Sequence, residues 1–182
     1  MSKAIGLVEF RTVSSGVNAV DTMVKNSEVD IIVADSVCPG KYYGLITGSI
    51  SAVQSAVEAA SATNSDKLID SFVLGNPSDD IYPAIYGTSE VKEYKALGII
   101  ETYSIASAIV AADTASKTSE VKLIELRLAK GLCGKSFLYL TGEVAAVSMA
   151  IERAKNEMKD EGNFLDSVVI ASPDKKVWDK IL

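Results

Sequence analysis

Cys38 stands in the run Ser-Val-Cys-Pro-Gly-Lys-Tyr-Tyr at 36–43, and the only other cysteine, Cys133, stands in Gly-Leu-Cys-Gly-Lys-Ser at 131–136. Thiolates are soft ligands, suited to zinc, copper(I) and iron–sulfur clusters. Two cysteines with no histidine in the whole sequence cannot complete such a site inside one chain. Metal chemistry at Cys38 therefore requires more than one copy of the protein. The competing reading is a packed free thiol, since cysteine is among the most buried residue types. A turn built around Pro39 and Gly40 has little core to fill, which weighs against that reading at Cys38.

Three other groupings could carry chemistry. Gly131–Ser136 has the outline of a phosphate loop, but the leading glycine of that motif falls on Ala129. The loop must also open a helix that faces the phosphate, whereas Ser-Phe-Leu-Tyr-Leu-Thr reads as a strand. Nucleotide binding is excluded there. Glu9 and Glu101 end the two matching first strands, and paired carboxylates can do acid–base work; duplication of a segment explains the pair without catalysis. Lys25 and Lys117 each close an Asp-x-x-x-Lys helix end, where a lysine also suits the helix dipole. The absence of histidine removes His-based triads, His-ligated zinc and imidazole acid–base catalysis.

The elements that must position these residues come twice. Lys-Ala-Ile-Gly-Leu-Val-Glu-Phe (3–10) matches Lys-Ala-Leu-Gly-Ile-Ile-Glu-Thr (95–102), and 19–29 matches 111–121. Residues 39–58 match 133–152 and 68–74 match 164–170, the separation growing by two residues at each of two gaps. A repeat of this length is a duplication. The boundary falls in Thr-Ser-Glu-Val-Lys-Glu, giving domains 1–91 and 92–182. In each copy a β-branched run (Ala4–Phe10; Ala96–Thr102) precedes a helix. The first helix carries an apolar stripe at Val13, Val17, Val20 and Val24; the second, from Ile105 to Lys117, is alanine-rich, as expected of a helix packed close to a neighbour. A strand, a glycine turn, a strand, a second helix, a last strand and a short tail helix follow. The predicted fold is α+β, two tandem ferredoxin-like domains of order β-α-β-β-α-β-α, with the Cys38 turn at a sheet edge.

Composition is that of a globular chain: 182 residues, 48% hydrophobic, 23% charged, net charge −6. An acidic balance argues against nucleic-acid binding. With no leader and no apolar run approaching about 18 residues, a cytoplasmic chain without a membrane partner is expected, its cysteines free rather than bridged.

The pattern Ala-Ile-Gly-Leu-Val-Glu-Phe, Asp-x-x-x-Lys, Gly-Lys, Thr-Gly, Ala-Val resembles the bacterial microcompartment shell domain. Two unpermuted copies in one chain are similar to the tandem-domain, trimeric class of shell protein, and Val-Cys-Pro-Gly-Lys at 37–41 resembles the turn of its iron–sulfur members. The resemblance implies a non-enzymatic shell subunit that forms a pseudohexameric homotrimer. Cys38, Pro39, Gly40, Leu132, Cys133 and Gly134 would line its central pore. It further implies one [4Fe-4S] cluster per trimer, with Cys38 as one ligand from each chain, serving electron transfer across the shell or cluster exchange with an encapsulated oxidoreductase. The alternative is a cluster-free pore for small metabolites. Backbone N–H groups around Gly40 and from the Leu132–Gly134 turn are expected donors to the cluster sulfurs. Aligning the Gly-Lys pairs sets Cys133 opposite Pro39, so it is not the repeat copy of Cys38. Lys25 and Lys117 match the family's shell-edge lysine, facing neighbouring hexameric shell proteins. The family's edge arginine is missing from Gly-Asn-Pro-Ser-Asp-Asp and Ala-Ser-Pro-Asp-Lys-Lys, which implies a minor tile among hexameric partners.

Overall fold

The structure, a computed structural model, describes residues 3–158 and 162–182. The chain packs as two compact units, residues 1–77 and 78–182. In the first, strands β1 (Lys3–Phe10), β2 (Val29–Val37), β3 (Lys41–Ser49) and β4 (Leu68–Gly75) form an antiparallel sheet of order β2-β3-β1-β4. Helices α1 (Val13–Asn26) and α2 (Ile50–Thr63) cover one face. In the second, β5 (Ala96–Thr102), β6 (Val121–Arg127), β7 (Ser136–Gly142) and β8 (Phe164–Ile170) repeat the order as β6-β7-β5-β8. Its helices are α4 (Ile105–Thr118) and α5 (Val144–Glu157), with the short helices α3 (Ile81–Tyr86) and α6 (Lys175–Ile181). The ferredoxin-like α+β expectation holds in both copies.

By repeat, α3 is the tail of the first copy; by packing, it belongs to the second unit, lying on β6 and α4. The repeat boundary at 91/92 and the packing boundary at 77/78 are therefore different places in the chain.

Local chemistry explains where the elements start. Thr12 and Ser104 cap α1 and α4, their hydroxyls accepting from the N–H groups of Ser15 and Ser107 at 3.4 and 3.1 Å, which satisfies donors that the helix itself leaves orphaned. Along β1 the side chains alternate in direction, yet Ala4 through Phe10 are buried, the charged Glu9 among them, so the strand reads as a near-continuous apolar run rather than an alternating one. Gly6 lets α2 come close: a Cβ there would lie 2.6 Å from Val53 Cγ1 and 2.8 Å from Val57 Cγ2.

One sequence expectation changes here. The valine stripe of α1 is not the face the helix buries. Val20 is buried, but Val13, Val17 and Val24 are exposed, and the buried face is Ser15, Gly16, Ala19, Val20 and Met23. Small residues win because α1 sits tight on the sheet; a Cβ on Gly16 would fall 2.5 Å from Tyr42 Cβ. In α4, by contrast, the alanine-rich face is buried as expected.

Candidate functional site: the cysteine turns

The edge strand β2 turns into β3 through three residues. The Gly40 N–H donates to the Val37 carbonyl at 2.9 Å, and the Cys38–Pro39 peptide is cis, so Val37–Gly40 is a type VI turn. Gly40 holds φ +98°, a conformation that favours glycine. Cys38, Pro39 and Gly40 are all exposed, and the Cys38 thiol is free. The packed-thiol reading of Cys38 is thereby removed.

The base of this turn is fixed electrostatically. Lys41, the first residue of β3, donates from Nζ to Glu9 Oε1 at 2.9 Å. The Glu9 side chain is 4% exposed, so the lysine compensates a buried carboxylate. Two residues on, Tyr43 lies opposite Asp35. Burial and the Asp35 carboxylate push its phenol well above the usual tyrosine range.

In the second unit the corresponding loop is longer. Strand register equates Tyr42 with Ser136, because Phe10 faces Tyr42 and Thr102 faces Ser136. Lys41 therefore matches Lys135 and Gly40 matches Gly134, as the sequence alignment has it. Working back along β2 and β6, Val33 faces Leu45 and Glu125 faces Tyr139, so Val37 matches Ala129. Between these fixed points the second loop carries two extra residues, and they account for the first gap in the repeat. The loop closes with the Lys135 N–H donating to the Leu132 carbonyl at 3.1 Å. Cys133 and Gly134 have φ +53° and +89°, the signature of a type I′ turn.

Cys38 and Cys133 thus occupy the same position, the second residue of a hydrogen-bonded four-residue turn, although strand register offsets them. Cys133 is exposed and free, Leu132 half-buried and Gly134 buried. Of the backbone N–H groups around Gly40 and in the Leu132–Gly134 turn, that of Gly40 is given to the Val37 carbonyl, and that of Leu132 to the Ala129 carbonyl at 3.3 Å. Sequence reading also missed the Glu9–Lys41 pair; the recurrence of Glu at the strand end and Lys after the turn was its available signal. No ion pair joins Glu101 to Lys135 among the described residues.

Lys25 and Lys117 each bond the aspartate one helical turn earlier, Asp21 and Asp113, at 2.7 Å. This accounts for the Asp-x-x-x-Lys spacing. An open groove of about 660 Å³ lies in the second unit, lined by Glu90–Glu93, Lys95, Glu120–Lys122, Thr141 and Gly142; it sits at the far end of β6 from Cys133. Among the described residues, no three His, Cys, Asp or Glu side chains are grouped so as to hold a metal ion, and no helix is long and apolar enough to cross a membrane.

Duplicated four-stranded sheets, two helices on one face and an exposed edge hairpin define a tandem shell-domain architecture. The BMC domain family matches residues 4–77 and 96–173, and this chain belongs to it. It is 36% identical over 178 residues to the bacterial microcompartment shell protein PduT of Citrobacter freundii, covering 98% of this chain and 97% of that one. A crystal structure of a microcompartments protein from Desulfitobacterium hafniense DCB shares 43% identity, covers 98% of this chain and 99% of that one, and superposes with TM-score 0.94. A fused permuted hexameric shell protein, MSM0275, shares the fold at 20% identity and TM-score 0.64, over 87% of this chain and 82% of its own. The chain is a microcompartment shell protein.

Proposed function

We propose that this shell subunit is non-enzymatic and assembles as a homotrimer whose central pore holds one [4Fe-4S] cluster, Cys38 giving one thiolate from each chain. The observation that carries the reading is the exposed, free Cys38 thiol at the tip of a three-residue turn on an edge hairpin. Among the described residues, Cys38 belongs to no group of three or more His, Cys, Asp or Glu side chains that could hold a metal ion within one chain. A soft donor that is accessible and isolated fits a site completed by symmetry: a three-fold axis gathers three thiolates where one chain offers one. The residues present fit the group. The bound cluster would supply one-electron chemistry, for electron transfer across the shell or cluster exchange with an encapsulated oxidoreductase. The chain's own part is to hold the thiols. The short turn limits where Cys38 can go, and the Glu9–Lys41 pair anchors its base. One iron would lack a thiolate from this set and take solvent or a partner's group. Lys25 and Lys117, at the ends of α1 and α4, would face neighbouring hexameric shell proteins.

Anaerobic purification with iron, sulfide and oligomer mass measured together tests this. About four iron and four sulfide per three chains, lost in a folded Cys38→Ser trimer, is the expected result. A folded trimer of the wild-type chain without iron would replace the reading with a cluster-free pore for small metabolites.

A further inference from the structure

In the second unit, the residues that lead into β5 and those that follow β8 meet at the tail helix α6. Tyr94 stacks on Trp178, with ring centroids 5.5 Å apart and planes at 24°. Beside the pair lies an open pocket of about 240 Å³, whose walls include Tyr94, Lys95, Ser172, Pro173, Lys175 and Trp178. Trp178 packs with Leu97 and Ile124 and is 2% exposed, whereas Tyr94 is 58% exposed. One ring of the stack is anchored in the core and the other is open. In β5, Ala96 faces Gly142 and Thr102 faces Ser136, so the pocket lies at the opposite end of the sheet from the Cys133 turn.

The charge around this pocket has one sign. Its only charged lining residues are lysines, in a chain of net charge −6. Lys95 is held by Glu93 and Glu143 at 2.9 Å each, which fixes it as part of the wall. Lys175 is exposed and has no ion-pair partner among the described residues. The Trp178 indole N–H likewise takes part in no hydrogen bond among the described residues, although a buried tryptophan N–H usually finds an acceptor. The larger groove differs: Glu90, Glu93 and Glu120 balance Lys92, Lys95 and Lys122 there, so it favours neither sign.

Duplication does not account for these groups. Asp70 faces Glu9 as Asp166 faces Glu101. Counting forward from that pair, Pro77 matches Pro173, Asp79 matches Lys175 and Tyr82 matches Trp178. The residue before Lys95 is Tyr94, and the residue before its match, Lys3, is Ser2. The first copy thus has serine, aspartate and tyrosine where the second has Tyr94, Lys175 and Trp178. The free cation and the ring pair belong to the second copy alone.

We propose that this pocket binds a small planar anion built on an aromatic ring. The ring packs on the Tyr94–Trp178 pair, where stacking adds to burial. The anionic group pairs with Lys175 in a charge-assisted hydrogen bond, and an acceptor on the ligand takes the Trp178 N–H. A cation is repelled by both lysines. An anion without a ring leaves the aromatic wall uncovered, and a neutral ring leaves Lys175 unpaired. A volume of about 240 Å³ is below that of a drug-sized site, so it holds one ring or a small fused system. All of the groups involved lie in the second unit, and none of them belongs to the proposed cluster.

Trp178 is the only tryptophan, so its fluorescence reports on the pocket in the full chain. Benzoate and adenosine monophosphate are the ring-bearing anions to titrate, one a carboxylate and the other a phosphate. Inorganic phosphate is the anion without a ring, and benzyl alcohol the ring without a charge. A saturable change in Trp178 emission is expected with at least one ring-bearing anion, and the tighter of the two identifies the source of the anionic group. Inorganic phosphate and benzyl alcohol should bind about tenfold more weakly or worse. Calorimetric titration of Lys175→Glu and Tyr94→Ala, with circular dichroism as the folding check, should show a loss of about tenfold or more in each. Lys92→Glu, in the larger groove, should leave the affinity unchanged. No saturable response to either ring-bearing anion, equal binding of benzyl alcohol, or unchanged affinity in Lys175→Glu would overturn the site. Bound iron and oligomer mass are separate measurements, so failure here leaves the cluster and trimer reading standing.

Discussion

Lys41 Nζ reaches Glu9 Oε1 at 2.9 Å across adjacent strands, and the carboxylate it neutralises is almost fully buried. Glu9 faces Tyr43 in the β1–β3 register, so Lys41 is its diagonal neighbour on the same sheet face, within reach of a long side chain. The first residue after the cysteine turn is thereby tied to the centre of the sheet.

Removing only the lysine leaves a buried carboxylate uncompensated, which costs far more than the pair contributes. Because Lys41 is about a quarter exposed, the low end of that range applies. Lys41→Met should destabilise the first unit by about 3 kcal/mol. Lys41→Met with Glu9→Gln should recover most of the loss, as read from urea midpoints at constant slope. Equal destabilisation in both variants would mean that the lysine acts through packing rather than charge.

Two glycines at matching strand positions permit close helix–sheet contact. A Cβ on Gly98 would lie 2.7 Å from Leu140 Cδ1 and 2.8 Å from Val147 Cγ1, much as at Gly6. Gly6→Ala and Gly98→Ala should each cost about 1–3 kcal/mol by overpacking, although alanine would otherwise be favoured over glycine in a strand. Denaturant unfolding of the two variants measures this, and a gain in stability at either site would show that the helices can shift outward freely.

Tyr43 gives a pH signature. Its folded phenol titrates well above the unfolded value of 10.0 because burial and Asp35 disfavour the phenolate. The folded state therefore holds its proton where the unfolded state loses it. The stability that this represents is complete below pH 10 and declines as pH rises from there. Tyr43→Phe should flatten the decline between about pH 10 and 11.5, followed by thermal unfolding at several pH values. An unchanged slope would assign the loss to other groups.

The fold was legible because duplication doubles every signal. Strand runs, helix periods and turn glycines that are ambiguous once become firm when they recur in the same order. The α1 stripe misled because valines at helical spacing mark an apolar face without saying what covers it. Gly16 and Ala19, which contribute little to hydrophobic periodicity, are what allow the close approach that decides the buried side. The Cys38 turn was legible from Pro-Gly between two strands. The equivalence of Cys133 was only half legible, since alignment fixes the strands flanking the loop but not where a longer loop places its closing turn. Long-range ion pairs depend on placement that composition does not carry: Glu9–Lys41 on the register of β1 against β3, and Asp80–Lys122 on where α3 packs on β6.

The shared turn position of the two cysteines sharpens the last prediction. Cys38 lies on a loop of three residues, rigidly tied to Lys41; Cys133 lies on a loop two residues longer, with three further left-handed residues at Ala129, Gly131 and Gly134. If thiol exposure alone decided ligation, the two would serve equally. If strand register decides, Cys38 is the ligand and Cys133 stands displaced by the inserted residues. On the proposed cluster and trimer, Cys38→Ser should therefore abolish bound iron while the chain keeps its far-ultraviolet spectrum and trimer mass, because the turn lies outside both buried cores. Cys133→Ser should retain most of the iron, with at most a modest change in its release to a chelator. Iron and sulfide assays on both anaerobically purified variants decide the matter. Loss of iron in Cys133→Ser with retention in Cys38→Ser would show that the longer loop, not the strand register, sets the ligand.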